Sequence, residues 1–105
     1  MEKDVVKLLE QELELSVDAK TAWTGNYMGH SSTEQGYIRI KAGMTKDATA
    51  STLLHEVVHM IFDICGVKES GDEHLVNNLA LGIMSFIRNN KQVIEKYIMT
   101  EGVQR

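Results

Sequence analysis

The chain is poor in the residues that would mark several protein classes. It has 105 residues, no proline, one cysteine and one tryptophan, and aromatic residues make up 6 % of it. A single thiol, Cys65, cannot close an internal disulfide, so nothing points to an oxidising compartment. No run of Lys or Arg exists, and the formal charge is -4, so there is no electrostatic footprint for nucleic acid. No stretch approaches the roughly 20 apolar residues that span a bilayer. The start, Met1-Glu2-Lys3-Asp4, is charged and lacks the apolar stretch of a secretory leader. The expectation is a soluble, cytoplasmic protein without nucleic-acid or membrane partners. Hydrophobic residues at 43 % and charged residues at 25 % suit one ordinary globular domain covering residues 1–105.

Without proline, boundaries must come from glycine, caps and periodicity. Val5, Val6, Leu9 and Leu13 recur near helical spacing, with Lys7, Glu10, Glu12 and Glu14 on other faces, which predicts an amphipathic helix from Asp4 to about Leu15. Thr21-Ala22-Trp23-Thr24 and Tyr37-Ile38-Arg39-Ile40 are short and β-favouring, and Gly25-Asn26 and the stretch from Gly29 to Gly36 carry turn chemistry. These predict a short antiparallel sheet with a polar loop. Leu53, Leu54, Val57, Val58, Ile61, Ile64 and Cys65 then form a broad apolar stripe, with Thr45 or Asp47 as cap and Gly66 as stop. A long helix from about Asp72 to Asn89 and a short one from Lys91 to Met99 follow. The predicted fold class is α+β.

The chemistry concentrates in His55-Glu56-Val57-Val58-His59, an H-E-x-x-H pattern. Residues four apart on a helix differ by about 40° in azimuth and one turn in height, so two imidazoles can converge on one ion. Neutral imidazole is a good zinc ligand, and Glu56 is placed to take a proton from a water on that ion. A catalytic zinc needs a third protein ligand and an open position. The next helix offers Asp72, Glu73 and His74, with Glu73 first among them. Ser70-Gly71-Asp72-Glu73 also reads as a capping box, in which Glu73 would merely close the helix. His59 lies roughly 9 Å before the end of its helix, so a tight hairpin would leave Glu73 out of level and Asn77 nearer. The helices must splay, or the loop must fold back, for Glu73 to reach the ion.

The longer pattern H-E-x-x-H-x-x-G-x-x-H is not met: Phe62 and Cys65 occupy its last two defined positions, and Cys65 reads as a buried small hydrophobe. Asp63 could orient a ligand, though it reads better as a solvated acid. Tyr27, His30 and Tyr37 are weak candidates to stabilise an oxyanion. The strand Tyr37–Lys41 could be the sheet edge against which a peptide substrate pairs.

The run Thr52-Leu53-Leu54-His55-Glu56-Val57-Val58-His59-Met60-Ile61 resembles the active-site helix of small ImmA/IrrE-type and phage-encoded metallopeptidases. The run from Glu73 to Gly82 resembles their following helix, and Tyr37–Ile40 the strand before it. The likeness covers about residues 36 to 90. It implies a minimal gluzincin-like α+β fold, one zinc ion, and hydrolysis of intracellular proteins or peptides. On the matching positions it implies His55 and His59 as ligands, Glu56 as general base and Glu73 as third ligand. Substrate identity does not carry over. A zinc-bearing interaction module or regulator without turnover is the competing reading, and a metal-free helical scaffold is a third.

Overall fold

The computed structural model describes residues 2–18 and 27–99. Among them the chain runs through strands β1 (Glu2–Leu8), β2 (Gln11–Asp18), β3 (Gly29–Ser32) and β4 (Tyr37–Lys41). Helices α1 (Lys46–Cys65), α2 (Glu73–Asn89) and α3 (Lys91–Tyr97) follow, with a 3₁₀ turn at Lys68–Gly71 between the first two. The α+β class is therefore observed, but the helix expected over Asp4–Leu15 is instead a β-hairpin. Its two-residue turn at Leu9 and Glu10 places Leu9 at φ 56, in the left-handed region. Leu13, Leu15 and Val17 alternate with Glu12, Glu14 and Ser16. That period of two prevails because it turns Leu13 and Leu15 into the core, while Glu12 and Glu14 stay exposed on the other face.

The sheet has the order β1-β2-β4-β3. β1 pairs antiparallel with β2, β2 parallel with β4, and β4 antiparallel with β3. The sheet is thus mixed, where an antiparallel one was expected. Two further expectations change. The first half of the Gly29–Gly36 stretch is strand β3 rather than loop, and β4 lies inside the sheet. Among the described residues, the free edge on this side belongs to β3. The strand expected at Thr21–Thr24 lies outside the described residues.

α1 begins at Thr45, whose hydroxyl accepts from the Ala48 N–H at 3.1 Å. It ends at Gly66, at φ 74, where the Val67 N–H returns to the Phe62 carbonyl at 2.8 Å. One side of α1 packs on the sheet: Met60 meets Leu13, Ile38 and Ile40, all buried. Val58 points to α2 and packs with Val76 and Ala80. Sheet, α1 and α2 therefore form successive layers, with α1 buried between two apolar clusters. Among the described residues no helix is long and apolar enough to cross a membrane.

Candidate metal centre

The helical spacing of His55 and His59 brings their rings together on α1, with centroids 4.8 Å apart and planes at 68°. The 3₁₀ turn folds the connection back, so α2 starts beside them rather than a turn too low. Asp72 caps α2 by accepting from the Leu75 N–H at 3.1 Å. The capping-box role anticipated for Ser70 and Glu73 is thus taken by Asp72, and the Glu73 carboxylate is left to face α1.

Glu73 Oε1 lies 2.8 Å from His55 Nε2, and its Oε2 lies 3.1 Å from His59 Nε2. One ligand atom from each of the three residues fits within 4.8 Å of the others. Four ligands around a tetrahedral zinc, each at about 2.0–2.1 Å, stand about 3.3 Å apart. The three side chains therefore lie close enough together that they could hold one metal ion. Glu73 is exposed, at 69 % of its side chain, and the group opens to solvent on that side.

His59 Nδ1 lies 2.7 Å from the Ser70 carbonyl oxygen. A carbonyl only accepts, so Nδ1 donates there, which makes Nε2, the nitrogen facing Glu73, the one available to a metal ion. Asp63 does not take this orienting role: it is exposed, as a solvated acid would be, and accepts a hydrogen bond from the Thr33 hydroxyl. His74 is exposed and outside the cluster, as is Cys65, which is solvent-exposed rather than buried. Asn77 lines the cleft without being one of the three converging groups.

Glu56 points the other way from Val58 and is buried, at 7 % exposure. Its Oε1 accepts from the Ser31 hydroxyl of β3 at 2.6 Å. His55, His59, Glu73 and Glu56 all line one cleft of about 990 Å³, whose opposite wall is β3 with the residues around it. Tyr27 and His30 also line it. Tyr37 does not; its hydroxyl lies 2.8 Å from His30 Nδ1. Sequence reasoning missed Ser31 and the Ser70 carbonyl. No local pattern announces either, since one is 25 residues from its partner and the other is a backbone atom.

No protein-family model, curated protein or solved structure matches the chain.

Proposed function

We propose that the protein is a minimal zinc-dependent peptide hydrolase, with the metal held by His55, His59 and Glu73 and the proton handled by Glu56. One observation carries the reading: three convergent ligands and a buried carboxylate share a single cleft. The likeness of Thr52–Ile61 to the ImmA/IrrE-type helix belongs to the same proposal. When bound, zinc polarises a carbonyl and favours hydroxide near neutral pH. The chain's own residues supply the rest. Glu56 takes a proton from a water in the cleft as the water oxygen bonds to the scissile carbonyl carbon. It returns that proton to the amine as the C–N bond breaks. Ser70 holds the His59 ring in its ligating tautomer. The free edge of β3 offers backbone N–H and C=O groups to an extended peptide, so flexible protein segments are the substrate class. This role moves from β4, which has no free edge.

Metal analysis of the wild type, His59→Ala and Glu56→Gln tests the reading, alongside cleavage of casein as an unstructured substrate. About one zinc per chain is expected in the wild type and in Glu56→Gln, and none in His59→Ala. Glu56→Gln should lose about 10²–10⁴-fold in turnover. A zinc-loaded wild type that leaves casein intact would instead favour the interaction module. A wild type without stoichiometric zinc would leave only the scaffold.

A further inference from the structure

A carboxylate beside a metal ligand has two ways to go astray. Glu56 follows His55 directly, and its side chain has three torsions about which to turn. It could sample several rotamers, or swing to the cation and take the position that water needs. Burial raises the stakes, because a charged group removed from water needs a hydrogen-bond partner. Among the described residues, the Ser31 hydroxyl is the protein donor to this carboxylate, at 2.6 Å. That length lies within the ordinary range of an O–H···O hydrogen bond.

The sheet delivers Ser31 to this point. Ser31 pairs with Ile38, a core residue, so both side chains lie on the face that α1 covers. Two residues earlier, Gly29 shares that face. A Cβ on Gly29 would stand 2.6 Å from Thr52 Cγ2 and 3.2 Å from Glu56 Oε2. Its φ is not positive, so the backbone does not demand glycine there. The close approach of β3 to α1 does.

We infer that Ser31, brought within reach by the bare Gly29, is a positioning residue for Glu56. It pins Oε1 and keeps the carboxylate off the proposed cation. The catalytic consequence rests on the hydrolase reading; the positioning itself does not.

The test therefore has two independent arms. In the first, metal-free protein carrying ¹³C-labelled glutamate is studied by NMR. Side-chain couplings of Glu56 should report one rotamer in the wild type and in Ser31→Thr. Ser31→Ala and Gly29→Ala should show averaging between rotamers. A Glu56 already averaged in the wild type, or unchanged in Ser31→Ala, overturns the inference whatever the activity. In the second arm, zinc-loaded Ser31→Ala should cleave casein with kcat lower by about tenfold, part of the contribution expected of a general base, at nearly unchanged KM. Ser31→Thr, which keeps the hydroxyl, should recover most of the rate. Equal rates in wild type and Ser31→Ala overturn the catalytic consequence. If the wild type binds zinc but cleaves nothing, the hydrolase reading falls, and the rotamer result still decides whether Ser31 positions Glu56.

Discussion

Glu73 draws its importance from where the backbone leaves it. Next to it in sequence stand Asp72, which caps α2, and His74, which faces solvent. Three adjacent polar residues thus have three different surroundings. Glu73→Gln keeps the shape but removes the charge, and should weaken zinc binding by more than about tenfold, beyond the lower end of the scale set by lost outer-shell partners. His74→Gln should leave affinity unchanged. Competition with a chromophoric chelator measures both. Equal affinities for the wild type and Glu73→Gln would remove Glu73 from the ligand set. At this scale the sequence was informative wherever the spacing was local. His55, Glu56 and His59 stand out because one helical turn relates them. Ser70 and Ser31 do not, because the contacts that recruit them form only when distant segments meet.

At the scale of elements, the N-caps of α1 and α2 should behave differently. Thr45→Ala removes the bond to the Ala48 N–H and should cost about 1 kcal/mol of stability. Thr45 lies well away from the donor cluster, so zinc affinity of the folded protein should not move. Asp72→Ala should cost a similar amount and also weaken zinc, because the turn that frays is the one carrying Glu73. Urea denaturation and chelator competition separate the two effects. Undiminished affinity in Asp72→Ala would show that the cap does not set the ligand. Helices α1 and α2 were legible because apolar stripes, caps and Gly66 agreed with one another. The N-terminal hairpin was not, although Glu12 to Val17 alternates cleanly. Val5, Val6, Leu9 and Leu13 match a helix equally well, and Leu9-Glu10 lacks the Asn-Gly or Asp-Gly chemistry that usually marks a two-residue turn.

For the whole molecule, the proposed metal is a clasp between layers. Its ligands come from α1 and from the first turn of α2, two helices that also meet through the small cluster of Val58, Val76 and Ala80 and the Arg88–Asp47 ion pair. A ligand bound only by the folded state stabilises it by about 2.7 kcal/mol at a hundredfold excess over Kd. Thermal unfolding should therefore shift upward with added zinc and fall back with a chelator. His59→Ala should show neither shift. An identical response in His59→Ala would locate the zinc elsewhere.

Taken alone, the sequence determined the parts governed by local periodicity: an α+β chain, the long helix that stops at Gly66, and two imidazoles with a carboxylate between them on that helix. The tertiary structure decided everything that depends on which segments become neighbours. It made the N-terminal segment a hairpin, put β4 inside the sheet and β3 at its edge, and folded the turn before α2 so that Glu73 reaches the histidines. It also set Ser31 against Glu56. The physical reason is that a helical turn relates residues four apart by geometry common to all chains. Contacts across many residues depend instead on burial and pairing summed over the whole fold.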